Sequence, residues 1–310
     1  MIHRKSRHDY IYVSVVYAMS VICLAILAFV TEPLPSRTTG IHGEPDQSQN
    51  QATAPLFFNR DKVANIPVTA RAYVVYDITE KRIVTSKNEK EVLPLASITK
   101  VMSAITAHRM ADLDTRIVIT KDAKIDNHLD LGLRENQGWR LDELLKYSLI
   151  FSSNSGMYAI ASHFGTPVFV TRMNVEASKI GKTLQFTNPA GLDMKGQIGG
   201  IGSAYDVALM MTQARKEIPQ ILDATTHQRF TAVTEHGLLS GIPNTNQAII
   251  DIRGAEGSKT GYTDLAGGNL ALVVDMSIGH PVVIVVLGST RSDRFVDAET
   301  IYKVLLSSIQ

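Results

Sequence analysis

Leu93 to Ile105 reads LPLASITKVMSAI. A serine and a lysine stand three positions apart, just after a proline, at the head of a run whose apolar residues recur at helical spacing. Read as a helix, the run lines up Ile98, Val101, Met102 and Ile105 as a buried stripe. Ser97 and Lys100 then share one face, so the amine can approach the hydroxyl. Free backbone N–H groups at the helix start would stabilise an oxyanion there. Two readings compete. Serine is a preferred helix cap, and a Ser-x-x-Lys spacing arises by chance about once in a chain of this length at average residue usage. The other reading is a nucleophile with its base.

Working outward, Ala70 to Ile78 (ARAYVVYDI) and Arg82 to Ser86 are β-rich runs around a polar turn, a predicted hairpin. Helical periodicity covers segments near 97–109, 141–150, 155–163, 167–180 and 203–215. Strand character returns in RFTAV, AIIDI, GSKTG, NLALVVDM and PVVIVVLG, and SDRFVDAETIYKVLLSSI closes as an amphipathic helix. Strands, a block of helices, then strands and one helix predict an α+β domain. Its sheet is assembled from both ends of the chain, with a helical subdomain inserted between them.

Composition narrows the function. The 310 residues are 45% hydrophobic and 20% charged, enough for one large or two small domains with a sizeable core. Net charge is +1 with no long run of one sign, so there is no electrostatic footprint for nucleic acid. The one cysteine, Cys23, lies inside an apolar run, which excludes an intrachain disulfide and argues against Cys-based metal or Cys/His chemistry. The nine histidines are scattered without an HExxH. His108 and His163 each end an apolar helical stretch, where capping or packing accounts for them. Neither a metal nor another cofactor is expected.

The N-terminus carries Arg4, Lys5 and Arg7 in MIHRKSRHD, followed by an uncharged run from Tyr10 to Val30. As a helix that run would span the roughly 30 Å hydrocarbon layer of a bilayer. Basic residues before it favour an N-in, C-out orientation. It is read as an uncleaved anchor. The rival is a cleaved signal peptide, whose apolar region is normally shorter, and no A-x-A site precedes Thr31. Both readings export the rest of the chain. The expected organisation is a basic tail (1–9), an anchor or signal (10–30), a Pro-, Ser-, Thr- and Gln-rich flexible spacer (31–62) and one folded domain (63–310).

Two further short motifs matter. Ser152-Ser153-Asn154, in LIFSSNSGMYAIASHF, interrupts two helical segments. Such a cluster is usually a turn and a cap, but it also offers a hydroxyl for proton relay and an amide to orient a peptide or the lysine. Lys259-Thr260-Gly261, in AEGSKTGYTDLAGGNLALVV, sits at a predicted strand end. Lysine and a hydroxyl there could bind a substrate carboxylate, and Gly261 would let a substrate backbone come close. Its bland reading is a hairpin end with a solvated lysine.

The three motifs in this order resemble the signature set of the penicillin-binding and serine β-lactamase superfamily. The stretches EKEVLPLASITKVMSAI, SLIFSSNSGMYAIA, FTNPAGLD and GSKTGYTDLAGGNLALVV are similar to the low-molecular-weight penicillin-binding proteins, the D-alanyl-D-alanine carboxypeptidase/endopeptidase family. The likeness runs from about residue 65 to 308 and implies an α+β transpeptidase fold, an antiparallel sheet flanked by helices. It also implies residue roles. Ser97 would be the acylated nucleophile and Lys100 its base. Ser152 would relay the proton and Asn154 contact the substrate amide. Lys259, Thr260 and Gly261 would line the substrate site, the first two on its terminal carboxylate. The backbone N–H groups of Ser97 and Tyr262 would form the oxyanion hole. Implied partners are peptidoglycan stem peptides, β-lactams as covalent inhibitors, and the membrane through residues 10–30. The implied location is the periplasmic or cell-envelope face, anchored or soluble.

A lysine near its free pKa is a poor base at neutral pH. The reading therefore requires Lys100 to be closed off, with Lys259 nearby as a second cation. The sequence also departs from the pattern, since Ser155 follows Asn154 where the family commonly has an acidic residue. The compact form resembles the endopeptidase branch, which cuts D-Ala to meso-diaminopimelate cross-links. The alternatives are a β-lactamase and an inert, membrane-anchored scaffold. The first is disfavoured by Ser-Ser-Asn and by the lack of an E-x-x-L-N loop between Phe164 and Gly202. The second is disfavoured by the presence of every motif residue.

Overall fold

In PVVIVVLGS apolar residues follow one another without polar interruption, which suits a strand covered on both faces. The computed structural model describes residues 56–125, 127–128, 130–194 and 196–310, all within one compact unit. That run forms β7 (Pro281–Ser289), the centre of a five-stranded sheet with β1 (Ala72–Asp77), β2 (Arg82–Lys87), β5 (Ala255–Thr263) and β6 (Gly267–Asp275). The order is β5-β6-β7-β1-β2 and every pairing is antiparallel, with Val75 opposite Ile284 and Lys259 opposite Ala271. Two strands come from the start of the domain and three from its end, so the sheet is assembled from both ends of the chain, as the sequence predicts.

Side chains alternate across this sheet into two cores. Val74, Tyr76, Ala271, Val273, Val283 and Val285 face the helical block. Tyr73, Val75, Leu270, Leu272, Ile284 and Val286 face the C-terminal helix α6 (Asp293–Ser308) through its Ala298, Ile301, Tyr302 and Leu305. Each fully buried Val, Leu or Ile among them contributes about 1.5–3 kcal/mol. The inserted block holds α1 (Thr99–Met110), α2 (Leu141–Ile150), α3 (Asn154–His163), α4 (Thr166–Ala177) and α5 (Ala204–Glu217), close to the predicted segments.

Three expectations are corrected. AIIDI is not a strand: Gln247–Ile250 is a 3-10 turn, because the Asn246 side chain accepts from the Ala248 N–H and turns the backbone away from a ladder. The end of the predicted spacer is folded: Leu56 and Phe58 are buried in the α6-side core, and Phe58 bridges to Ile309. Lys259-Thr260-Gly261 lies inside β5 rather than at its end. RFTAV does form a strand, β3 (Arg229–Thr234), but among the described residues it pairs only with β4 (Gly237–Pro243), apart from the main sheet. Among the described residues no helix is long and apolar enough to cross a membrane; the predicted anchor at 10–30 lies outside them.

Candidate active site

Ser97 lies in a 3-10 turn, Ala96–Ile98, that runs directly into α1. Neither the turn nor the helix has a side-chain cap bond, so Ser97 is not a cap. Ala96 before it has φ 49°, a left-handed conformation that non-glycine residues hold only under constraint. The constraint comes from packing on both sides. Across from the turn, a Cβ on Gly191 would fall 1.9 Å from the Ala96 carbonyl oxygen. On the other side Gly261 of β5 meets the Leu95 carbonyl as closely as a glycine allows, since a Cβ there would sit 2.7 Å from that oxygen. The sequence reading gave Gly261 the task of admitting substrate; here it admits the turn that carries Ser97.

Lys100, in the first turn of α1, is fully buried at 0% exposure. Its Nζ donates to Ser97 Oγ at 2.6 Å, Asn154 Oδ1 at 2.8 Å and the Ala190 carbonyl at 2.9 Å. Burial lowers its pKa to about 7, against an opposing pull from the Asp130 carboxylate. Near neutral pH a substantial share of the amine is therefore free, and in that share the 2.6 Å contact carries the Ser97 O–H to the lysine lone pair. A hydroxyl so placed can serve as an activated nucleophile.

The turn between α2 and α3 supplies the next residues. Ser152 has φ 62°, left-handed again. Ser153 caps α3 by accepting from the Gly156 N–H at 2.9 Å, and Asn154 opens the helix with its amide oxygen on Lys100. From β5, Lys259 is 1% exposed and donates to Ser152 Oγ and to the Thr260 carbonyl, each at 2.9 Å. Its pKa is pushed well below the ordinary lysine value by burial, then by the charges of Lys100 and Arg294. Two hydrogen-bonded groups result, Ser97–Lys100–Asn154 and Ser152–Lys259, and they meet at the Ser152–Asn154 turn. Thr260 joins through Thr245, their hydroxyls 2.7 Å apart. Tyr262 follows on β5, with its ring exposed beneath the Arg291 guanidinium at 5.0 Å and its hydroxyl donating to Asp264.

Four participants were missed in the sequence. The Ala190 carbonyl is backbone and leaves no side-chain signal, although it lies in the FTNPAGLD stretch. Thr245 is an isolated hydroxyl whose N–H donates to the Ile150 carbonyl. Arg294 reads as the polar face of α6, yet it is buried and donates to the Gly261 carbonyl at 2.7 Å. Asp130 comes from a polar loop. Among the described residues no group of three or more His, Cys, Asp or Glu side chains is arranged to hold a metal ion.

A family model described as D-alanyl-D-alanine carboxypeptidase matches residues 59–291. The chain is 29% identical over 216 residues to a D-alanyl-D-alanine endopeptidase of Haemophilus influenzae, covering 66% of this chain and 70% of that one. It is 26% identical over 239 residues to a D-alanyl-D-alanine carboxypeptidase of Bacillus subtilis, covering 73% of this chain and 59% of the other. In fold it is similar to penicillin-binding protein D2 of Listeria monocytogenes, solved in its ampicillin-bound form, with a TM-score of 0.68 at 24% identity over 78% of this chain and 99% of that one.

Proposed function

We infer that this chain, which belongs to the D-alanyl-D-alanine carboxypeptidase family, is a penicillin-sensitive serine DD-peptidase acting on peptidoglycan stem peptides. One observation carries the reading: Ser97 Oγ lies 2.6 Å from a fully buried Lys100 whose pKa is lowered to about 7. A serine hydroxyl against a free amine in a closed site is what acyl transfer needs.

In this reading Ser97 Oγ attacks the carbonyl carbon of the penultimate D-Ala and its proton passes to Lys100 Nζ. The oxyanion is held by the Ser97 and Tyr262 backbone N–H groups. The C–N bond then breaks, and the departing amine takes a proton delivered from Lys100 by way of Ser152. Asn154 orients the lysine and the substrate amide, while Lys259 and Thr260 bind the terminal carboxylate as a charge-assisted pair. Water completes the cycle by attacking the Ser97 ester, releasing the acid and restoring the hydroxyl. A β-lactam follows the same first step, but its amine stays tethered to the acyl group. The bond cut is D-Ala-D-Ala or the D-Ala to meso-diaminopimelate cross-link. Such a substrate places the domain at the cell envelope, and residues 10–30 are proposed as its membrane anchor or export signal, followed by a spacer.

Labelling with a fluorescent penicillin tests the reading. Wild type is expected to form a stable one-to-one adduct and Ser97→Ala none; a folded wild type that takes up no label would leave only the inert scaffold. Pentapeptide and cross-linked dimer muropeptides, with products read by mass, then identify the bond. Rapid turnover of a chromogenic cephalosporin would instead favour a β-lactamase.

A further inference from the structure

Ser152 holds its hydroxyl toward Lys259 from a left-handed conformation, φ 62°, that an L-residue adopts at a cost. Something outside the turn has to keep it there. The candidate is a carboxylate nearby in space and remote in sequence. Asp130 Oδ2 accepts from Ser153 Oγ at 2.5 Å and from the Ser155 N–H at 2.9 Å. In return, the Asp130 N–H donates to Ser155 Oγ at 3.2 Å. Ser153 and Ser155 are 1% and 0% exposed, so the carboxylate binds buried groups rather than a solvated rim. By taking the Ser153 proton it also leaves Ser153 Oγ free to accept from Gly156 and start α3. The loop is tied down beside it, with the Tyr147 hydroxyl of α2 donating to the Leu131 carbonyl.

We propose that Asp130 is a positioning residue for this reaction: its carboxylate clamps the Ser152–Ser155 turn from outside and so fixes where Ser152 Oγ and Asn154 Oδ1 meet the two lysines. Ser152 and Asn154 sit on either side of the clamped Ser153. A turn that rotates by one residue would lift both from Lys259 and Lys100 together. The carboxylate has an electrostatic task as well. Tyr147 from α2 and Lys100 from α1 face it, and Lys259 from β5 faces Lys100 in turn. Its negative charge opposes the burial that strips Lys100 of its proton. Ser155 makes both reciprocal bonds to Asp130, one through its N–H and one through its Oγ.

The proposal rests on Ser97 being the acylated residue, and the experiment separates the two. The full-length chain and its Asp130→Asn variant are acylated with a fluorescent penicillin from pH 5 to 9, well below either melting temperature. Wild type that takes no label would sink the functional reading. Given a labelled wild type, Asp130→Asn should still label at Ser97 with a plateau rate lower by about tenfold or more, as expected for a misplaced catalytic group. Its rising limb should move to lower pH, because the charge that favours protonated Lys100 is gone. Asp130→Asn/Ser155→Asp, which returns a carboxylate to the turn, should recover part of the rate and move the limb back. A wild-type rate and midpoint in Asp130→Asn would overturn the proposal. So would a rate loss with an unmoved midpoint, which a purely structural loop contact would give. Should Asp130→Asn fail to fold, Ser153→Ala removes one of the two donors to the carboxylate. It is then expected to slow acylation severalfold, and a wild-type rate in it would overturn the clamp.

Discussion

Gly261 and the Leu95 carbonyl are in contact across the seam between β5 and the turn that carries Ser97. An added Cβ on Gly261 would lie 2.7 Å from Leu95 O and 3.3 Å from Ala96 Cβ and Ile98 Cγ1. Leu95 O is backbone, held by the Ile98 N–H at 3.2 Å, so it cannot swing away as a flexible side chain could. Gly261→Ala must therefore push the outer strand of the sheet off the turn that carries Ser97. Overpacking of this kind costs about 1–3 kcal/mol. The expected result is a lower denaturation midpoint together with a large loss of penicillin acylation. A variant that keeps both would mean that the seam is not what positions Lys259 and Thr260 against Ser97.

The parts of this site legible in the sequence are those whose geometry is local. Ser97 and Lys100 lie within one helical turn, so spacing alone predicts their approach. The sheet is legible for a similar reason, since uninterrupted apolar runs such as 281–287 admit few other structures. Asn154 and Lys259 stand 54 and 107 positions from the groups they touch, Lys100 and Ser152. Only the order of the three motifs, through a family likeness, brings them to the site. What stayed hidden has no pattern to read. Ala190 acts through its carbonyl, Thr245 through a lone hydroxyl, and Asp130 is one acid in a polar loop. Arg294 was concealed by amphipathicity, because a helix's polar face is expected to meet water. AIIDI was misread because β-branched residues suit a strand, while the preceding Asn246 side chain captures the backbone first.

Thr245 should matter more than its place outside the three motifs suggests. Its hydroxyl sits 2.7 Å from that of Thr260, and its N–H donates to the Ile150 carbonyl, tying the end of α2 to β5. Thr245→Val keeps the shape and removes the bond. A typical hydrogen bond contributes about 0.5–1.5 kcal/mol, which corresponds to roughly a two- to twelvefold change. With Thr260 proposed on the substrate carboxylate, the loss should fall on KM for a stem peptide more than on kcat. A drop confined to kcat would place Thr245 elsewhere in the cycle.

Asn154 offers a test of sign. Its Oδ1 accepts from Lys100 at 2.8 Å. Asn154→Asp puts a carboxylate at that distance, and an opposite charge so close raises a neighbouring lysine pKa by about 1–3 units. Lys100 should then hold its proton well above neutrality, and the variant should acylate slowly at pH 7 yet regain rate as pH rises. Asn154→Ala should be slow at every pH, since it removes orientation without adding charge. Acylation of both variants across pH 6 to 10 distinguishes them, and indistinguishable profiles would mean that Asn154 does not act on Lys100.

The widest consequence follows from Lys100 itself. Burial moves its folded pKa from 10.5 down to about 7, so protonated Lys100 dominates below neutral pH and free amine above it. A base must be unprotonated to act, so log(acylation rate) should climb by about one per pH unit below 7 and level off above it. Stability also rises with pH, but in the adjoining window. Between about 7 and 10.5 the unfolded chain binds this proton and the folded chain does not, so the lysine's destabilising contribution is complete below pH 7 and fades as pH rises through that window. Lys100→Arg isolates the catalytic part, because a guanidinium cannot lose its proton in a protein. That variant should be slower by about a hundredfold or more, with no rising limb near pH 7. Rapid-mixing measurements from pH 5 to 10 decide the matter: a wild-type rate that stays flat across the range would remove Lys100 from the role of base.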